Sequence, residues 1–276
     1  MKSSTNIMTS ELLYSRILHK GTMLCVGLDT DVRKIPECVR QGRTASEAVL
    51  EFNKRIIDAT QPYCVAYKPN LAFYESLGPD GLRVLDKTVE YLRTNYPDQF
   101  LIADAKRGDI GNTARMYAGT FFETFDFDAV TLSPYMGSET VAPFLEYPGK
   151  FAIVVALSSN PSSADFQLSV KDGKPLYQVV IENCMKISNP DNMMFVVGAT
   201  KADKLKEIRS FCPDNFFLVP GVGAQGGSAE EVIANGANSN GGLLINSSRG
   251  VLYASSGADF AEAAAKAAAM TARFER

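Results

Sequence analysis

Eight short apolar runs, each followed by a stretch with helical periodicity, constrain this 276-residue chain more than any other feature. The runs are 22–28 (TMLCVGL), 64–68 (CVAYK), 100–103 (FLIA), 128–132 (DAVTL), 151–157 (FAIVVAL), 194–198 (MFVVG), 216–220 (FFLVP) and 242–246 (GLLIN). They are nearly continuous rather than alternating, the pattern of parallel strands buried on both faces. Helical segments are expected at about 46–60, 79–95, 112–125, 137–146, 174–187, 200–210, 228–236 and 257–274, the last one Ala-rich. Eight such repeats predict an α/β fold, a single-domain (β/α)8 TIM barrel spanning 1–276. Residues 1–20 form an N-terminal helical extension in this reading, and 257–274 the closing helix. Two long connections, 30–45 and 158–173, stand out as lids or specificity loops.

The inventory of reactive groups excludes several kinds of chemistry. His19 is the one histidine and lies in a polar helical pattern, so no mechanism needing two imidazoles is available. Cys25, Cys38, Cys64, Cys184 and Cys212 contain no C-x-x-C pair, which argues against a zinc site. Their odd number and wide spacing fit buried free thiols in a reducing cytoplasm. The N-terminal stretch has no apolar core of a signal peptide, and no apolar run is long enough to span a bilayer. With 28 Lys and Arg against 31 Asp and Glu and no basic run, no nucleic-acid partner is expected.

A barrel of this kind works at the C-terminal ends of its strands. Those ends carry Asp29, Lys68, Asp104 with Lys106, Ser133, Ser159, Gly198–Thr200, Gly221–Gln225 and Asn246–Arg249. Asp104 and Lys106, two apart at a strand exit, are expected on one face, with Asp109 three residues on. With Lys68 and Asp29 from the two preceding strands they make an alternating carboxylate–ammonium array in which each member favours its neighbour's charged form. An ionised lysine held there can protonate a developing carbanion. A lone D-x-K-x-x-D reads more readily as a rim ion-pair cluster; the company of Lys68, Asp29 and an anion-binding pair of loops favours a working site.

That pair of loops follows the seventh and eighth strands, where barrels commonly bind phosphate. PGVGAQGG supplies Gly221, Gly223, Gly226 and Gly227, whose backbone can approach an anion, and Gln225 as a donor. NSSRG supplies Ser248 and Arg249, the latter a natural phosphate partner. The expected substrate is a small phosphate monoester. Tyr67, Phe73, Tyr74, Met136, Met193 and Met194 read as packing. Ser133 and Tyr135 read equally as substrate contacts or rim, and Arg107 and Arg115 as interface residues.

DAKRGDIGNTA, YKPNLAFYE, CVGLDTD, SSNP, PGVGAQGG and NSSRG, in that company, resemble the orotidine 5′-phosphate decarboxylase family, in particular its longer bacterial branch. The likeness runs from about residue 22 to 255. It implies cofactor-free conversion of orotidine 5′-monophosphate to uridine 5′-monophosphate, the last step of de novo pyrimidine synthesis, with no metal or organic cofactor. By resemblance Lys106 protonates C6, Asp104 faces the substrate carboxylate, Lys68 bridges ribose and network, and Asp29 binds the ribose. Asp109 and Thr113 reach into the other subunit's site of a homodimer, Ser159 meets the pyrimidine edge, and Gln225 and Arg249 grip the phosphate. Ser162 stands where relatives commonly have Gly, which would strain a left-handed backbone there. Gln167 in the same loop is a candidate for closing over the phosphate.

Two other readings exist. A magnesium-dependent sugar-phosphate decarboxylase or aldolase shares D-x-K-x-x-D but places an acidic metal ligand where this chain has Lys68, which would repel the ion. A catalytically idle phosphate-binding barrel would be marked by loss of Asp104 or Lys106, and both are present.

Overall fold

The structure, a computed structural model, describes residues 7–222 and 227–274. Among them are ten strands: β1 (Leu24–Gly27), β2 (Ala66–Lys68), β3 (Phe100–Arg107), β4 (Ala129–Leu132), β5 (Phe151–Leu157), β6 (Val170–Lys171), β7 (Lys174–Pro175), β8 (Met193–Val197), β9 (Phe216–Pro220) and β10 (Leu243–Ser247). Eight of them close into a barrel in the order β1-β2-β3-β4-β5-β8-β9-β10, with β10 back on β1 and every pairing parallel. The eight expected runs are these eight strands. β6 and β7 form a two-residue antiparallel hairpin outside the barrel, so the polar stretch 158–173 is partly structured.

The helices lie outside, where each turns an apolar face to the strands. Ala45–Thr60 begins at a capping box, with Thr44 accepting from the Glu47 N–H and Glu47 reaching back to the Thr44 N–H, which satisfies two otherwise orphan donors. Its apolar stripe, Val49, Phe52, Ile56 and Ile57, is buried. Gly78–Asn95 buries Val84, Leu85, Val89 and Leu92 in the same spacing. The N-terminal extension is the helix Ser10–Lys20, capped by Thr9 and ended by Gly21 in the left-handed conformation (φ 62°). His19 is exposed in its last turn. The closing helix is Phe260–Met270, shorter than 257–274, after which the chain pairs back across the barrel bottom through the bridge Thr22–Arg273.

One expected helix is absent. Residues 137–146 form two short 3-10 turns, Ser138–Thr140 and Ala142–Glu146, instead. Pro143 stands at the start of the second turn, without an N–H to donate and with a ring that blocks the preceding turn, so a continuous α-helix cannot run through. The helix expected at 174–187 starts at Leu176 because Lys174 and Pro175 are held in the hairpin.

The core assignments divide. Tyr67, Tyr74, Met193 and Met194 are buried, and the two tyrosine hydroxyls donate to the carbonyls of Ile57 and Leu28. Phe73 packs against the core partly buried. Met136 does not pack: it is 49% exposed beside Tyr135 at 85%. No helix among the described residues is long and apolar enough to cross a membrane.

Candidate active site

β2, β3 and β4 bring the central charges together. Lys68 ends β2 and is buried, with its Nζ 2.6 Å from Asp104 Oδ2. Lys106 Nζ lies 2.5 Å from Asp104 Oδ1. One nine-tenths-buried carboxylate is thus held between two ammonium groups, one buried and one half exposed toward the barrel mouth. Burial opposes the charge on Asp104, but Lys68 and Lys106 outweigh it and hold its carboxyl well below the usual range. Burial likewise opposes the charge on Lys68, and Asp104 and Asp29 overcome it and hold the ammonium above its ordinary range.

The local backbone is not a plain strand. Ala103 pairs with Val130 and Arg107 with Leu132, so a four-residue step faces a two-residue step. Within this bulge Lys106 has φ 46°, a left-handed conformation that a lysine adopts only when its surroundings hold it there. Thr131 on β4 is part of that hold. Its hydroxyl accepts from the Lys106 N–H at 2.9 Å and donates to Asp104 Oδ1 at 3.1 Å. On the outer side Arg107 donates to the Ala105 carbonyl, pairs with Glu75, and lies over the rings of Tyr117 and Phe121.

These groups line a cavity of about 360 Å³ at the C-terminal end of the barrel. Asp29, Lys68, Asp104 and Lys106 occupy one side, and Ser159, Ser248 and Arg249 are also in its wall. Seven of the expected site residues are therefore together. Two buried acceptors here, Asp29 Oδ1 and Asn246 Oδ1, have no hydrogen-bond partner among the described residues. Asn70, which also caps the helix Leu71–Glu75, Thr131 and Asn246 line the cavity too. Asn70 and Thr131 were not singled out by the sequence; Asn70 had a signal in Y-K-P-N, directly after Lys68, and Thr131 had none.

Asp109 and Thr113 are not brought in. Asp109 caps the following Ile110 N–H, Thr113 is exposed on the helix Gly111–Gly119, and neither lines this chain's own cavity. Gly223 and Gln225 lie outside the described residues, as do Ala224 and Gly226. Arg107 is engaged within the chain, as above, while Arg115 is exposed. Ser133 and Tyr135 line a separate, larger groove of about 1120 Å³ that meets the site at Lys106 and Val155.

The 158–173 segment differs from expectation at two residues. Ser162 sits in the 3-10 turn Pro161–Asp165, away from the left-handed region, and accepts from Asn160 Nδ2 at 2.7 Å, so serine meets no strain there. Gln167 does not face the site cavity. Its Oε1 accepts from the Ser158 N–H at 2.7 Å and its Nε2 donates to Ser158 Oγ at 2.9 Å, which pins the segment to the end of β5.

A closed parallel (β/α)8 barrel with a Lys–Asp–Lys array at its C-terminal mouth defines the class: a TIM barrel whose site is electrostatic in character. The model of the orotidine 5′-phosphate decarboxylase / HUMPS family matches residues 22–266, and the chain belongs to that family. It is 57% identical over 264 residues to an orotidine 5′-phosphate decarboxylase of Christiangramia forsetii, covering 95% of this chain and 96% of the relative. The likeness to the enzyme of that name from Phocaeicola vulgatus is 53% over 262 residues, covering 95% of both. Among solved structures, an OMP decarboxylase of Leishmania donovani superposes with a TM-score of 0.77 at 35% identity, covering 94% of this chain and 96% of that one.

Proposed function

We propose that this protein decarboxylates orotidine 5′-monophosphate to uridine 5′-monophosphate and CO2, the closing step of de novo pyrimidine synthesis. The observation that carries the reading is the single buried carboxylate of Asp104 clasped by Lys68 at 2.6 Å and Lys106 at 2.5 Å, at the mouth of a barrel of this family. Loss of CO2 leaves an electron pair on a ring carbon, and a preorganised ammonium aimed at that carbon is what stabilises it and then protonates it.

In this reading Lys106 delivers the proton to C6. Asp104 lies against the leaving carboxylate and keeps Lys106 charged and aimed; Lys68 fixes Asp104 from below and meets the ribose. Asp29, with its free buried oxygen, accepts from a ribose hydroxyl. Ser159 meets the pyrimidine edge, and Arg249 and Ser248, with Gln225 and Gly223, take the phosphate. Binding energy from that remote phosphate is available to lower the barrier at C6. No metal or organic cofactor is assigned a step. Two ammonium groups on Asp104 oppose the magnesium-dependent alternative, since a divalent cation would meet like charge there.

The same reading includes a homodimer with shared sites in the cytoplasm. Asp109 and Thr113 do not line their own chain's cavity, and the segments that follow the neighbouring strands β3 and β4 expose Ile110, Met116, Tyr135 and Met136, at 44, 65, 85 and 49%. A second copy seated there covers that surface and receives Asp109 and Thr113 in its own site.

The test is loss of the orotate absorbance on adding orotidine 5′-monophosphate to protein in excess EDTA, with uridine 5′-monophosphate identified by chromatography. Conversion by the wild type, and none above background by Lys106→Ala that still binds uridine 5′-monophosphate, is the expected result. Folded wild type that converts nothing overturns the proposal.

A further inference from the structure

We infer that Thr131 is a positioning residue for the reaction: its one hydroxyl sets both the backbone of the proton donor and the carboxylate that aims it. The inference rests on the decarboxylase reading above and adds a residue to it.

Thr131 lies in the middle of β4, 1% exposed, with its side chain in the wall of the site cavity. A buried hydroxyl can donate once and accept, and Thr131 does both toward the same neighbouring strand. It accepts from the Lys106 N–H at 2.9 Å and donates to Asp104 Oδ1 at 3.1 Å. Asp104 Oδ1 is the oxygen that also holds Lys106 Nζ. The hydroxyl, the Lys106 backbone, the Lys106 side chain and Asp104 therefore close a ring of interactions around one atom.

The ring matters because of the backbone it encloses. Lys106 has φ 46° inside a bulge where four residues of β3 span two of β4. A regular strand would point its N–H at a backbone carbonyl of the neighbour; here it points at a side chain. A non-glycine residue keeps such a conformation only when several contacts agree on it. Thr131 supplies the contact on the cavity side, and Arg107, bound to the Ala105 carbonyl, supplies one on the outer side. Without the hydroxyl, the Lys106 N–H loses its acceptor and Asp104 Oδ1 loses its one uncharged donor among the described residues. Both changes displace the ammonium from the reacting carbon, and displacements of about 1 Å at a reacting group can cost on the order of 100-fold in rate. Substrate grip at the phosphate end is untouched, since Ser248 and Arg249 follow β10, across the barrel from β4.

The experiment compares Thr131→Val, which keeps the shape and removes the hydroxyl, with Thr131→Ser, which keeps the hydroxyl. Wild type is assayed alongside with orotidine 5′-monophosphate, and binding of uridine 5′-monophosphate is measured by calorimetry for each protein. We expect kcat to fall about 30- to 100-fold in Thr131→Val, with KM and the uridine 5′-monophosphate Kd within about threefold of wild type, and Thr131→Ser to recover kcat to within about fivefold. If Thr131→Val does not fold, Thr131→Ala removes the same hydroxyl and carries the same expectation. A kcat within about twofold of wild type in the hydroxyl-free variant overturns the inference. So does a serine variant as impaired as the valine one, which would make the methyl group and packing responsible. An inactive wild type would instead refute the decarboxylase reading itself.

Discussion

Replacing Lys68 with methionine should destabilise the fold by a predictable amount and in a predictable pH window. Lys68 is buried, and its Nζ is the partner of Asp104 Oδ2 at 2.6 Å. Methionine fills the space but leaves Oδ2 without a donor, while Oδ1 keeps Lys106 and Thr131. Breaking a buried ion pair by removing one partner costs roughly 3–5 kcal/mol. The surviving Lys106 contact argues for the lower end, about 3 kcal/mol, which at about 2–4 °C per kcal/mol is a Tm loss on the order of 6–12 °C. Asp104's carboxyl is held below its ordinary range, so the stability it adds is complete above about pH 4 and is lost only as pH falls through the depressed folded value. Lys68 is held above its ordinary range, so its share is complete below about pH 10 and is lost as pH rises through the raised folded value. Removing Lys68 raises the folded value of Asp104, so the deficit is greatest near neutral pH and narrows in acid. The chain has no tryptophan, so urea unfolding followed by far-UV circular dichroism is the assay, at about pH 7.5 and about pH 3, below the window in which the Asp104 contribution is complete. Lys68→Met/Asp104→Leu completes the comparison. It buries no unpaired carboxylate and should be at least about 1 kcal/mol more stable than Lys68→Met, since apolar replacement of a buried pair is often neutral or stabilising. A Lys68→Met deficit under about 0.5 kcal/mol, or a double variant no better than the single one, would refute the electrostatic account of this centre.

Arg249→Ala should raise KM for orotidine 5′-monophosphate at least about tenfold, the loss of a charge-assisted contact of about 1.5–3 kcal/mol; unchanged KM and kcat/KM would remove Arg249 from the phosphate site. Mixing inactive Lys106→Ala with inactive Asp109→Ala should restore activity through hybrid dimers that each contain one intact site, whereas no recovery after demonstrated subunit exchange would falsify the shared site. Of the five free thiols only Cys38 is exposed, and burial pushes those of Cys64 and Cys184 up to about 11, so a disulfide reagent at pH 8 should titrate one thiol quickly and the rest only on unfolding. Two fast thiols would contradict the packing described above.

The barrel is legible in the sequence because each of its strands is buried on both faces, and double burial writes a continuous apolar run that no turn or surface helix imitates. Once the strands are placed, the rule that such barrels work at their C-terminal ends selects a set of end residues that includes Asp29, Lys68, Asp104, Lys106, Ser159, Ser248 and Arg249, and the structure gathers these seven around one cavity, whereas Ser133, selected by the same rule, lines the adjoining groove. The failures have local causes. A helix at 137–146 satisfies periodicity, yet Pro143 cannot continue it. Met136 looks like packing because methionine usually is, yet it is 49% exposed. Asp109 and Thr113 fit the motif and do not line the cavity of their own chain, because the loop and helix that carry them run past its rim.

The bulge at Lys106 is a different kind of omission. Alternation along a strand predicts Asp104 and Lys106 on one face, and their side chains do meet at 2.5 Å. They meet, however, across a left-handed residue in a strand that has lost register with its neighbour, so the argument from period 2 arrives at the right pair by a path the backbone does not take. A bulge is chosen by what the opposite strand offers to the displaced N–H. Here the offer is a hydroxyl one residue before the end of β4, in a run, DAVTL, that reads as ordinary strand. Sequence periodicity reports which side of an element is buried; it is silent on hydrogen bonds between elements far apart in the chain. At this site that silence covers what sets the aim of the lysine, the property on which proton delivery depends most steeply.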